Sequence, residues 1–127
     1  MSKYTNYEME AMVLAIQPLL KLENLVGYAA ARNTRVLTTE MTEYFAKRDA
    51  LIEKYGEPEL DEQGQPTGLT SLKIDSPMFH SFVDEMDPWG SLEHEPAIYR
   101  IPYEEAIGCM SGEKLLEVDW MFEDEEV

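Results

Sequence analysis

The sequence predicts a mainly α-helical protein whose strand content is limited to a short hairpin or an edge strand. Three observations carry this. Apolar residues recur at intervals of three and four through the first half of the chain. Prolines and glycines fall where helices should start or stop. Only two short stretches show turn chemistry or alternation suited to strands. The expected architecture is a long central helix packed with three shorter helices. One acidic domain would cover residues 1–122, followed by an acidic tail at 123–127.

The first helix is predicted from Asn6 to about Gln17, with Asn6 as its cap. Met9, Met12, Val13 and Ile16 supply its apolar face, and Pro18 ends or kinks it. The long helix is predicted from Leu22 to Tyr55. Its apolar stripe runs through Leu22, Val26, Ala30, Leu37, Met41, Tyr44, Leu51 and Tyr55, interrupted by Asn33 and Arg48. Gly56 and Pro58 close it. Gly27 and the threonines at 34, 38 and 39 are weaker helix formers, so a break is expected near Asn33 if the segment breaks at all. Unbroken, it would be about 50 Å long at 1.5 Å per residue. That exceeds what a chain of this size can enclose, so the helix must bend, protrude or pair with a second chain.

Glu57 to Gly68 is polar and rich in turn formers, which predicts an exposed loop or hairpin with its tip near Gln63 and Gly64. Ser76 and Pro77 read as cap and first residue of a helix whose apolar face is Phe79, Phe82, Val83 and Met86, with Pro88 as its stop. Ala97 to Ile101 reads as a short strand that Pro102 confines to an edge. Tyr103 to Ile107 reads as one helical turn. Ser111 caps a last helix from about Gly112 to Phe122, with Leu115, Leu116 and Trp120 as core candidates.

Charge is the strongest functional signal. The chain carries 26 acidic and 10 basic side chains, a formal net charge of −16. Residues 1–56 are balanced, and residues 57–127 hold all of the excess. Such a surface repels phosphate, so direct nucleic-acid binding is not expected. No apolar run reaches the roughly 20 residues of a membrane-spanning helix. The Met1-Ser2-Lys3-Tyr4 start lacks the apolar core of a secretory signal, and the lone cysteine, Cys109, precludes an intrachain disulfide. Together these point to the cytoplasm.

Four features resemble a family of small tailed-bacteriophage proteins without an assigned activity. They are the short N-terminal helix, the run Arg48-Asp49-Ala50-Leu51-Ile52-Glu53-Lys54-Tyr55-Gly56, the Asp61-Glu62-Gln63-Gly64 loop, and the ending Leu115-Leu116-Glu117-Val118-Asp119-Trp120-Met121. The chain departs from that pattern in lacking a lysine-rich long helix and in carrying Pro88-Trp89-Gly90. The resemblance implies a phage or prophage origin and supplies no chemistry.

Catalytic and cofactor motifs are not evident. There is no glycine-rich phosphate loop with its lysine. In Gly108-Cys109-Met110-Ser111-Gly112 the serine stands fourth, not third as a nucleophile elbow requires. His80, His94 and Cys109 lack zinc spacing, and an EF-hand alignment through Gly90 places Pro96 where a bidentate acid belongs. No metal site and no cofactor are therefore expected, and the chain reads as a non-enzyme.

The remaining reading is binding. Asp84, Glu85, Asp87, Glu93 and Glu95, with Trp89 between Pro88 and Gly90 as an exposed anchor, form the favoured partner-binding patch. Glu123, Asp124, Glu125 and Glu126 form a second. The expected partner is a basic protein surface such as that of a host nuclease or defence effector, engaged in place of nucleic acid. The bland alternative is a solvated acidic face. The competing functional reading is a phage structural or assembly factor, or chaperone, that oligomerises through the Leu22–Tyr55 helix.

Overall fold

A computed structural model describes residues 2–123. The chain is mainly helical with short strand pairs, as the periodicity predicts. Its contacts divide it into two compact units. One is formed by residues 2–41 together with 93–123, the other by the continuous stretch 42–92.

The first unit opens with strand β1 (Tyr4–Thr5) and helix α1 (Asn6–Ile16). Thr5, not Asn6, is the cap. Its hydroxyl accepts from the Glu8 amide at 3.1 Å, and the Glu8 carboxylate accepts from the Thr5 amide at 2.9 Å. Asn6 is instead buried. Pro18 lies at the start of a 3-10 turn, Gln17–Lys21, which suits a residue with fixed φ and no amide donor. Helix α2 (Leu25–Glu40) is capped by Asn24, whose side-chain oxygen accepts from the amides of Val26 and Gly27. A Cβ on Gly27 would lie 1.8 Å from the Leu22 carbonyl oxygen, so this close approach requires glycine.

The segment from Leu22 to Tyr55 is broken once, at Met41 and not near Asn33. Asn33 is fully buried and bonds the Tyr99 backbone, so the polar interruption of the apolar stripe is a tertiary contact made from inside a helix. The backbone of Met41 leaves helical geometry (ψ 8°). Helices of 16 and 14 residues result, about 24 and 21 Å long. Neither is the 50 Å rod that an unbroken segment would form.

After residue 92 the chain returns to the first unit. Strand β4 (Glu93–His94) pairs antiparallel with β1 in the register Tyr4 to His94 and Thr5 to Glu93. The predicted Ala97–Ile101 strand is shorter and displaced: β5 is Ile101–Pro102, parallel to β6 (Phe122–Glu123). A 3-10 turn spans Tyr103–Ala106 where a helical turn was expected. Ser111 caps α5 (Gly112–Glu117) as predicted, its hydroxyl accepting from the Lys114 amide. That helix ends early and gives way to a 3-10 turn at Asp119–Met121. Leu116 is 79% exposed and is not core. The core of this unit joins Ile16, Leu19, Val26, Ala29 and Ala30 to Ile101, Val118, Met121 and Phe122, with Leu115 and Trp120 partly buried against it.

The second unit contains α3 (Thr42–Tyr55), a hairpin of β2 (Glu57–Leu60) and β3 (Pro66–Ser71), and α4 (Phe79–Gly90). The hairpin has the expected tip. Asp61 accepts from the amides of Gln63 and Gln65 at 2.9 Å, and Gly64 adopts φ +78°. The hairpin register shifts between Pro58 and Leu60. Helix α4 begins two residues later than Ser76-Pro77 suggests, because Ser76 caps a preceding turn through the Met78 amide. It also continues through Pro88 to Gly90. The proline sits in the last turn, where the Asp84 carbonyl forgoes one helical hydrogen bond while Ser91 still bonds to Asp87. Tyr44, Leu51 and Met86 are the buried side chains of α3 and α4.

Candidate partner-binding surface

The favoured acidic patch is divided between the two units: residues 84–89 belong to one, and 93–95 to the other. On α4, Asp84 and Asp87 lie three residues apart and share a side of the helix. Asp84 pairs with His80 at 3.3 Å, both strongly exposed. Glu85 faces α3, where its carboxylate meets the Lys54 ammonium at 3.2 Å. That hydrogen bond holds Glu85 below the usual carboxylate range and raises Lys54 above the usual lysine range. Glu85 is therefore occupied within the chain.

Trp89 is not at a loop tip. It lies in the last turn of α4, half-buried, with the Lys47 ammonium of α3 5.5 Å from its ring centroid. The helix persists past Pro88, which keeps Trp89 on α4 beside α3. Glu93 is exposed in β4, Glu95 lies 3.9 Å from Lys3, and Glu123 is exposed in β6. Asp124, Glu125 and Glu126 lie outside the described residues.

The hairpin supplies carboxylates that sequence reasoning treated only as loop polarity. All four residues of β2 are exposed. Glu57, Glu59 and Glu62 have no cationic partner among the described residues. Glu57 and Glu59, with Asp75, border a groove of about 670 Å³, whose lining also includes Leu60, Leu72, Pro77 and one cation, Lys73. The available signal was the density of acids beside turn formers in Glu57 to Gly64, which predicts an exposed hairpin end.

The groups considered for chemistry stay apart. His94 Nδ1 bonds Glu40 at 3.0 Å and His80 pairs with Asp84. The Cys109 thiol accepts from Asn24 Nδ2 at 3.2 Å and donates to the Glu105 carbonyl at 3.3 Å. Among the described residues no group of three His, Cys, Asp or Glu side chains converges for a metal ion, and no helix is long and apolar enough to cross a membrane. Compared with protein-family models, with curated proteins and with solved structures, the chain matches none.

Proposed function

We propose that this is a phage-encoded, non-catalytic binding protein that blocks a host nucleic-acid-handling defence protein by occupying its basic groove. The observation that supports this most is the set of exposed hairpin carboxylates, Glu57, Glu59 and Glu62, that make no ion pair among the described residues. Lysines and arginines of the partner would pair with these acids in place of phosphates, and the excess of negative charge would speed encounter. Asp84 and Asp87, both exposed on α4, add negative charge to the same unit. The competing reading, assembly through a projecting helix, drew on a length that neither α2 nor α3 has.

The test is competition. The partner recovered by co-purification from infected host cells should be a basic nucleic-acid-binding protein, and a short duplex should displace this chain from it. Binding should weaken with salt, because exposed charges are screened over about 8 Å at physiological ionic strength. It should also weaken when Glu57, Glu59 and Glu62 are changed together to Gln. Simultaneous binding of duplex and protein, or an affinity indifferent to salt and to that triple change, rejects the proposal.

A further inference from the structure

Helix α2 presents a face of opposite chemistry to the hairpin. Tyr28, Arg32 and Arg35 follow at i, i+4 and i+7 and are all exposed, with Tyr28 at 53%. Tyr99, from the segment after β4, completes the face. Its ring meets Tyr28 edge-on, centroids 5.7 Å apart at 87°. The Arg32 guanidinium carbon lies 4.5 Å from the Tyr99 centroid and 5.9 Å from that of Tyr28. Tyr99 is fixed from beneath, since buried Asn33 accepts from its amide at 2.7 Å and donates to its carbonyl at 2.9 Å.

Acids outnumber bases 26 to 10 in this chain. Yet among the described residues neither Arg32 nor Arg35 has a carboxylate within ion-pair distance. The Arg32 guanidinium carbon sits over both rings, and its N–H groups, which no carboxylate among the described residues takes, have the fork geometry that grips a carboxylate with two hydrogen bonds. Tyrosine and arginine are the residue types on which binding energy concentrates, and a cluster already held in place loses little freedom on docking.

We infer that the Tyr28–Arg32–Tyr99 face is a docking surface for a protein segment presenting a carboxylate flanked by apolar side chains. The flanking groups would rest on the exposed ring of Tyr28, and Arg35 would add charge at the rim. The net charge of −16 selects this occupant over two others. A nucleic-acid polyanion and a second copy of this chain would each meet long-range repulsion, whereas one carboxylate in an otherwise neutral or basic surface meets chiefly the local guanidinium. This surface is independent of the hairpin carboxylates and stands or falls without them.

The experiment is an NMR titration of the full chain with a blocked peptide, N-acetyl-Leu-Asp-Leu-amide, and its Asn counterpart. The Asp peptide should shift the Arg32 Nε–H and the Tyr28 and Tyr99 ring signals saturably, and the Asn peptide should bind about fivefold more weakly. Arg32→Gln and, separately, Tyr28→Ala should abolish the response. Both positions are exposed, so each variant should retain the parent melting curve, and the Asp-against-Asn comparison on the unaltered chain does not depend on either. Equal responses to the two peptides would overturn the inference. So would shifts of this face on adding a short DNA duplex without any on adding the Asp peptide, or shifts that follow protein concentration with no peptide present.

Discussion

Asn33 bonds both backbone polar groups of Tyr99, a residue 66 positions away, through a side chain that is wholly buried in α2. The arrangement satisfies a buried amide and one backbone strand of an irregular segment at once. It also places the Tyr99 ring within 4.5 Å of the Arg32 guanidinium carbon.

Asn33→Leu should therefore destabilise the protein by about 2–4 kcal/mol, because it removes two hydrogen bonds and leaves the Tyr99 amide and carbonyl without their partner. Urea unfolding measures the loss. Tyr28 and Tyr99 ring signals should shift in the same variant, since the ring loses its anchorage. An unchanged unfolding midpoint would mean that water replaces the side chain without cost.

Gly27→Ala should lower stability by about 2 kcal/mol or more, because the added methyl meets backbone at Leu22 and the start of α2 must move to admit it. Thermal melting checks this. Gly64→Ala is the useful contrast: its Cβ meets nothing within 4 Å, so the cost there is confined to the left-handed φ of the turn, about 1 kcal/mol.

Much of this was legible locally. The hairpin tip follows from Asp61 and Gly64, the last cap from Ser111, and the end of α3 from Gly56 and Pro58, all of them short-range chemistry. What was not legible depends on distant partners. Asn33 looks like a flaw in the stripe until Tyr99 is beside it, and the break at Met41 has no glycine or proline to announce it. Trp89 looks like a loop residue because Pro88 precedes it, but its contact with Lys47 lies on another helix. Acid density along the chain points to residues 84–95, yet Glu85 pairs with Lys54, whereas Glu57 and Glu59 make no ion pair among the described residues.

Tyr44→Asp should cost at least about 3 kcal/mol, since the ring is 4% exposed and a carboxylate in its place loses the apolar burial and must be desolvated. The expected observation is a lower melting temperature, or a chain unfolded at 25 °C by circular dichroism. A melt equal to the parent's would contradict the inward placement of α3.

The Lys54–Glu85 pair should show a coupling in a double-mutant cycle, using Lys54→Gln and Glu85→Gln, that depends on pH at both ends. Glu85 titrates below its ordinary 4.5 in the folded chain, so its share is present above 4.5 and is lost as pH falls through the lowered value. Lys54 titrates above its ordinary 10.5, so its share is present below 10.5 and is lost as pH rises through the raised value. The coupling should be flat between these limits, small because both groups are solvent-exposed, and reduced by salt.

The placement of residues 42–92 between the two parts of the first unit fixes an order of events during synthesis. Helices α1 and α2 leave the ribosome first, but Ile101, Val118, Met121 and Phe122, which cover their apolar faces, are made only after residues 42–92. At about 5–20 residues per second the N-terminal part waits several seconds for its other half. The inner stretch is contiguous and can close on itself during that interval. A nascent chain stalled before residue 93 would thus present the greasy side of Ile16, Val26 and Ala30 to chaperones, and truncation before Phe122 should be far more damaging than its distance from the first helix suggests.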